Sequence, residues 1–482
     1  MPDFLSVFRS EGRLSRLLLV MYIAINSLVL VNAALHSPYV GYDIPEHLKS
    51  ITALSQYHLA TRLESREFFS PPLPYILPAI AMILGASLWW AGKVGPIVNI
   101  LLSLGLTYSL LRICEQIFPG HTRFKLLALG LLGLMPVYYK TFAQERGEPY
   151  VTCLAVLAVD LTLRIFVYTP ALWVRPVGRT AGRGAIIALG IVLGLAVLAR
   201  QWGFFLFPAI GLLVLFVIFV QRQPWKKNLL SLAAIFAIAF VLGSWFYFYL
   251  YSQYGTFTAF NRRPDGSLSK HLSMFTGNGN GKLFIDPVRP SLGTDFFPVF
   301  YSDFWGDYHA YFLISTQDRN TGEFWTGAQL QKWIGKTQGD LPNWIQTNRY
   351  TFNLYLRKVN MVSIFPSILL VAGFLYGFWL LYKMLRTPGD PQAVALGLVA
   401  LVTYMATLGY LWFVLNYPDS GDGDTVKATY LLLAYPFIAL QGAALLQKIR
   451  NPRILGLLGV LLALVVAYNL PAMLTHYIDI PK

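Results

Sequence analysis

A chain of 482 residues that is 56% hydrophobic and only 13% charged, with a positive mean hydropathy, has too little polar surface for a water-soluble globule. It is expected to be an all-α polytopic membrane protein. Its formal net charge of +15 would suit a nucleic-acid partner only if it were gathered on one surface, and its distribution, given below, excludes one. Cys114 and Cys153, the only cysteines, sit at or inside apolar stretches, so neither a disulfide framework nor a zinc cluster is expected.

The first apolar stretch, 17–35, carries no charge and is followed by no small-residue cleavage site, which makes it an anchor. Directly after it, "GYDIPEHLKS" (41–50) places Asp43 and Glu46 three residues apart, with His47 beside them. One reading is a capping box: Asp43 as N-cap, Pro45 in the first turn, and Glu46 reaching back to the N-cap amide. The other is an active-site carboxylate, because a helix start above the bilayer is also a place where an anion can sit. His47 by itself reads as a packed or solvated side chain.

Next comes "PPLPYILPAIAMILGASLWWAG" (71–92), which is apolar enough to span but carries Pro71, Pro72, Pro74 and Pro78 in its first turns. Windows of about 20 residues give the other spans near 94–111, 124–143, 149–168, 184–202, 203–221, 228–250, 359–382, 391–416, 428–447 and 454–473, eleven with the first. Counting 71–92 as a twelfth would invert every later loop. The short loops that the eleven-span reading puts inside hold 18 of the 38 basic residues, and all but Arg9, Arg13 and Arg16 would move outside if 71–92 crossed. The positive-inside rule therefore makes 71–92 re-entrant or interfacial, with the N-terminus inside. The basic surplus is an orientation signal, since 18 of the 23 acids fall on the outer side.

Three divisions follow: a transmembrane module over 1–250 with a first outer loop at 36–93, an aromatic-rich outer segment at 251–358, and C-terminal spans over 359–482. The middle segment, with "DFFPVFYSDFWGDYHAYF" (295–312) and "GEFWTGAQLQKWIG" (322–335), lacks strand alternation and is expected to lie against the membrane with its aromatics at the interface. "DSGDGD" (419–424) has carboxylates at alternate positions that could take Ca²⁺, but it lacks the distal bidentate Glu and reads as a solvated turn. "GNGNG" (277–281) has no following Lys-Ser/Thr and reads as a surface turn, not a phosphate loop.

Three stretches, "GYDIPEHLKSITAL" (41–54), "SPPLPYILPAI" (70–80) and "YYKTFAQERGEPYVTCLAV" (138–156), together resemble the GT-C glycosyltransferases of the protein O-mannosyltransferase and aminoarabinose-transferase kind. The resemblance covers about the first 220 residues, including "GLAVLARQWGFFLFPAI" (194–210), with a weaker echo in "KATYLLLAYPFIAL" (427–440). It departs from the family in two places: the usual adjacent Asp-Glu pair is Asp43 and Glu46 here, and the His before Pro-Pro is Ser70.

The resemblance implies a GT-C fold in the plasma (inner) membrane and a sugar moved from a polyprenyl-phosphate donor to a glycan, lipid or protein acceptor at the outer face, with inversion. It makes Asp43 the base, with Glu46 as its companion, and sets His47, Glu145, Arg146, Glu148, Arg200 and Lys427 around the substrates. A carboxylate can take the proton of an acceptor hydroxyl. Arg146, Arg200 and Lys427 would meet the lipid phosphate that leaves, while Glu145 and Glu148 would orient acceptor, sugar or a divalent cation. The cofactor is unknown on these grounds, and a divalent cation stays open. Each residue has a plainer role: outer Arg and Lys side chains snorkel to headgroups, and Glu at a helix start serves the helix dipole.

The rivals are a transporter or flippase of lipid-linked saccharides and a noncatalytic scaffold. A transporter is expected to carry ionisable groups near mid-membrane, and of the acids only Asp160 falls within a span. A scaffold needs no convergence of acids and bases.

Overall fold

The computed structural model describes residues 8, 13–168, 183–258, 274–277, 279–287, 289, 291–313, 316–317, 324–325, 343–416 and 425–478. "DSGDGD" lies outside them, as does much of 251–358. Apart from a two-residue antiparallel ladder that pairs Thr316 with Trp325, the described chain is helical.

In chain order the helices are α1 (Arg13–Leu35), α2 (Ile44–Ser55), α3 (Leu73–Ile83), α4 (Leu88–Ile117), α5 (Thr122–Gly133), α6 (Pro136–Phe142), α7 (Glu148–Thr162), α8 (Arg183–Ala199), α9 (Leu206–Phe219), α10 (Trp225–Tyr254), α11 (Phe296–Trp305), α12 (Asn343–Val362), α13 (Ile364–Arg386), α14 (Pro391–Asn416), α15 (Tyr435–Leu446) and α16 (Pro452–Asn469). Among the described residues nine helical stretches are long and apolar enough to cross a membrane, which makes this an integral membrane protein with many spans. Their outward faces stay apolar, as lipid requires: Leu230, Val241, Leu375, Leu457 and Leu464 are all exposed.

Two of the eleven expected spans take another form. The stretch 184–202 is α8, which is 17 residues long, or about 25 Å at 1.5 Å per residue. The stretch 124–143 breaks in two. Pro136 has no amide to donate and holds the residue before it out of the helical region, so Met135 is extended at φ −87°, ψ 105° and α6 begins beyond it. The expected start at 359 also moves, because α12 ends at Val362 and α13 opens at Ile364.

The stretch 71–92 is no single span. Its helix α3 has 11 residues, about 16 Å against a hydrocarbon core of about 30 Å. Gly85 then turns the chain at φ 95°, and Ser87 caps α4 by accepting from the amide of Trp90. Helix α3 packs against α2 and α4, so α2 and α3 form a platform beside the bundle.

The aromatic run around α11 departs from its expected interfacial position. Phe296, Val299, Phe304, Trp305 and Tyr308 are buried in the main core with Tyr410 and Tyr435, and Trp305 donates its indole N–H to Ser367 Oγ at 2.7 Å. Phe297 alone of the α11 aromatics is largely exposed, at 61%. "GNGNG" runs into a 3-10 stretch, Gly279–Phe284.

At one end of the bundle the helix termini carry basic residues and their partners. Arg112 and Arg164 meet Asp160, Lys125 meets Glu115, and Arg123 donates to the carbonyls of Leu446 and Ile449 at the end of α15. The C-terminal end of α8, the start of α7 and the turn before α15 meet away from these, and there the charges are buried.

Candidate active site

The backbone entering α2 is unusual. Asp43 sits at φ 57° in the left-handed region, which Asp and Asn tolerate better than other side chains do. Its carbonyl accepts the amides of Glu46 at 2.9 Å and His47 at 3.1 Å, while its side chain makes no capping bond. The capping box is therefore not formed. The αL turn throws the carboxylate off the helix axis to Lys427, whose Nζ lies 2.7 Å from Oδ2.

Lys427 stands before a 3-10 stretch, Ala428–Ala434, that leads into α15. Its side chain is 8% exposed and that of Asp43 is 33% exposed, so the pair is closed on the lysine side and open on the carboxylate side. Burial would raise the Asp43 pKa, but the charges of Lys427 and Arg146 hold it well below the usual carboxylate range. Burial would equally lower Lys427, and the carboxylate of Asp43 instead raises it.

Beside this pair lies a second set of charges. Arg146 donates from Nε and Nη2 to the two oxygens of Glu148 at 3.0 and 3.1 Å, and from Nη1 to the carbonyl of Tyr42 at 3.0 Å. Arg200, at the end of α8, reaches Oε1 of Glu148 at 2.8 Å through Nη2 and donates to Ser70 Oγ at 2.7 Å. Glu148 opens α7, so its carboxylate also faces the positive end of that helix. The close approach needs Gly147: a Cβ there would lie 2.2 Å from the carbonyl oxygen of Ala199.

Tyr430 joins the two sets. Lys427 Nζ lies 5.5 Å from its ring centroid, and the guanidinium carbons of Arg146 and Arg200 lie 5.6 and 6.0 Å away, within cation–π range. Three cations thus lie within 6.0 Å of the centroid of one aromatic ring, with Asp43 and Glu148 as partners. The third acid, Glu67, is 3.5 Å from Arg200 and accepts from Ser70 at 2.6 Å. Burial and the charge of Asp43 raise its pKa.

The sequence places Asp43, Arg146, Glu148, Arg200 and Lys427 at this cluster, and the structure brings all five together. It does not bring Glu46, which pairs with Lys49 at 2.8 Å and accepts the amide of Arg66 at 2.7 Å, fastening α2 to the loop before α3. Position 46 lies three residues beyond the αL turn and so faces that loop, not Lys427. His47 is fully buried, with Nδ1 2.6 Å from the hydroxyl of Tyr75. Burial, then the charges of Arg146 and Arg200, push its pKa down to about 3, so it is a neutral wall of the site. Glu145 turns to α4, where Oε2 fills the space that a Cβ on Gly95 would take. Burial raises its pKa well above the usual range.

The sequence reading missed Glu67, Ser70 as a hydrogen-bond hub, Tyr430, and a buried knot around Asp303. Asp303, on α11, is 2.6 Å from Lys140 Nζ through Oδ1, accepts the hydroxyl of Tyr42 at the same oxygen, and takes the amide of Ala428 at Oδ2 at 2.7 Å. A signal was available: an Asp inside an aromatic run such as "VFYSDFW" (299–305) is buried with its neighbours and so must be paired.

No three or more His, Cys, Asp or Glu side chains among the described residues come together as a metal ion would need. Of the acids expected to meet a divalent cation, Glu148 instead meets Arg146 and Arg200, and Glu145 faces α4.

Neither a family model nor a curated protein matches the sequence. The fold is similar to that of the Archaeoglobus fulgidus oligosaccharyltransferase crystallised with Zn and sulfate, with 14% identity and a TM-score of 0.48 over 95% of this chain and 53% of the other. It is also similar to ArnT from Cupriavidus metallidurans bound to undecaprenyl phosphate, with 15% identity and a TM-score of 0.38 over 89% of this chain and 77% of the other. A third similar structure is the A. fulgidus oligosaccharyltransferase AglB with an inhibitory peptide and a dolichol-phosphate, with 14% identity and a TM-score of 0.45. The chain spans about half the length of the oligosaccharyltransferase, 53% and 55% in the two alignments.

Proposed function

We propose that this chain is a membrane glycosyltransferase, a hexosyl- or pentosyltransferase that moves a sugar from a polyprenyl-phosphate donor to a glycan, lipid or protein acceptor, with inversion at the anomeric carbon. The observation that carries the proposal is the ring of Lys427, Arg146 and Arg200 around Tyr430, in which three cations face the carboxylates of Asp43 and Glu148. Such a ring of cations attracts a further anion, and a lipid phosphate at headgroup depth supplies one.

The chemistry follows from the Asp43–Lys427 pair. Held by Lys427, Asp43 is a poor base. A phosphate that takes Lys427 as its partner releases the carboxylate, which then removes the proton from the acceptor. The acceptor oxygen bonds to the anomeric carbon as the bond from that carbon to the phosphate oxygen breaks, and the electron pair leaves with the phosphate, where Lys427, Arg146 and Arg200 hold it. The base is thus strengthened when the donor is bound, which limits water attack in its absence.

Two variants test the anion site. Arg200→Ala and Lys427→Ala should weaken inhibition by a short-chain polyprenyl phosphate by about 1.5 to 3 kcal/mol each, the worth of one charge-assisted hydrogen bond. Side chains that only snorkel to headgroups would leave inhibition unchanged in both variants.

The proposal places the site at the outer face of the plasma (inner) membrane with the N-terminus in the cytoplasm, supported by the basic loops at the opposite end of the bundle. Leu63 and Lys226 are both exposed, Leu63 at 99%. A cysteine at Leu63 should react with an impermeant maleimide on intact cells, and one at Lys226 only after the membrane is opened. The reverse pattern would put the site on the cytoplasmic side.

A lipid-linked-saccharide transporter is the alternative. It would need an anion site, but it has no use for a carboxylate released when the anion binds. Within the described spans, Asp160 is occupied by Arg112 and Arg164.

A further inference from the structure

Asp303 is fully buried, at 0% exposure, so it touches no substrate, yet it grips both sides of the reacting pair. Its Oδ1 takes Lys140 and the hydroxyl of Tyr42, the residue before Asp43. Its Oδ2 takes the amide of Ala428, the residue after Lys427. We propose that Asp303 is the positioning residue of the proposed transfer reaction, holding Asp43 and Lys427 in register by anchoring the neighbour of each. This rests on the reading of Asp43 and Lys427 as the working pair.

The surroundings bear on the same point. Lys140, from the last turn of α6, is 1% exposed and bonds the carbonyl of Asp303 at 2.6 Å as well as its carboxylate. It also lies 5.4 Å from the centroid of the Tyr42 ring. The charge of Asp303 is therefore balanced where it stands, and burial does not drive it to take a proton: Lys140 and His309 hold its pKa down against the effect of burial. A second grip comes four residues after Trp305: His309 Nε2 is 3.2 Å from the carbonyl of Val426, the residue before Lys427, and its ring meets Tyr42 edge-on at 5.3 Å. Asp307 fixes the turn that carries His309 by accepting the amides of Tyr311, Phe312 and Leu313.

Segments 42–43, 140 and 427–428 are thereby tied at one carboxylate, across sequence separations of 261, 163 and 125 residues from Asp303. Apolar packing would join them too, but it would not fix the 2.7 Å approach of Lys427 to Asp43. Three directional bonds to one anion do.

The test is a double-mutant cycle with one readout independent of turnover. Asp303→Asn should lower kcat on the order of 100-fold, the effect of a displaced reacting group, and should weaken donor binding no more than Lys427→Ala does. On the Lys427→Ala background the same change should cost less than about 3-fold, because with one member gone there is no pair left to hold in register. A full 100-fold loss on that background overturns the proposal.

Asp303→Asn leaves Lys140 without a counter-charge, so the paired variant Asp303→Asn with Lys140→Met, which removes both charges, is measured beside it and should behave alike. For the independent readout, acetylation of Lys427 by acetic anhydride, followed by mass spectrometry, should speed up on the order of tenfold in both variants, as expected if Lys427 loses about one pKa unit with its partner misplaced. Unchanged Lys427 reactivity in a folded variant overturns the proposal whether or not the protein transfers sugar. Absence of transfer in the wild type, with the reactivity change present, would instead overturn the function and leave the positioning role standing.

Discussion

Asp43→Asn should reduce sugar transfer by at least about 100-fold, the low end of the contribution of a positioned base, while the thermal midpoint stays close to that of the wild type. The structure separates these two effects. Asn adopts the φ 57° conformation as readily as Asp does, and no capping bond is lost because Asp43 makes none. The amide oxygen can still accept from Lys427, whose Nζ is also 3.4 Å from the hydroxyl of Tyr430. The variant loses the ability to take a proton and the negative charge facing Lys427, and the 33% exposure of the carboxylate lets water offset the second loss. Normal transfer by Asp43→Asn would show that the pair with Lys427 is structural and that the acceptor loses its proton elsewhere.

The largest loss of stability is expected at Glu148. It is 1% exposed and is the shared counter-ion of Arg146, at 0%, and Arg200, at 7%. Removing one partner of a buried ion pair strands the other charge, at a cost of about 3 to 5 kcal/mol; here Arg146 loses its carboxylate partner, and Arg200 keeps only Glu67, at 3.5 Å. Glu148→Ala should therefore lower the melting temperature in detergent sharply. Glu148→Gln, which keeps the hydrogen-bond acceptor, should lower it less. A Glu148→Ala protein that melts with the wild type would mean that Arg146 and Arg200 do not depend on it.

How much of this was legible in the sequence depended on what each feature requires. Nine of the eleven expected spans were, because about 20 apolar residues leave little alternative, and the break around 71–92 was written in proline, whereas the break at Pro136 inside 124–143 was not read. The positive-inside count argued against 71–92 as a full span, and α3, at 11 residues, is too short for one. Asp43, Arg146, Glu148, Arg200 and Lys427 were legible through their place at span ends beside the quoted motifs. What escaped was the geometry between distant segments. Asp43 and Lys427 are 384 residues apart, and nothing local announces that they form an ion pair.

Glu46 was misassigned for a conformational reason. In a regular capping box it would stand beside Asp43, but the αL backbone at 43 turns the two side chains to different partners, Lys427 and Lys49. Glu67 was overlooked because "SREFFS" (65–70) reads as a plain loop, and only the arrival of Arg200 from α8 makes Glu67 and Ser70 part of the cluster. Asp303 was lost inside an aromatic run that resembles an interfacial belt until its burial is known.

The measurement that tests the central claim most directly is transfer by the purified wild-type protein in proteoliposomes, given a panel of polyprenyl-phosphate sugars labelled in the sugar and a mixed pool of glycan, lipid and peptide acceptors. The proposal predicts that at least one donor is consumed, with free polyprenyl phosphate and glycosylated product appearing in equal amounts and with the anomeric configuration inverted. Folded protein that binds the lipid phosphate yet forms no product from any donor, or that moves intact donor across the bilayer, would contradict it.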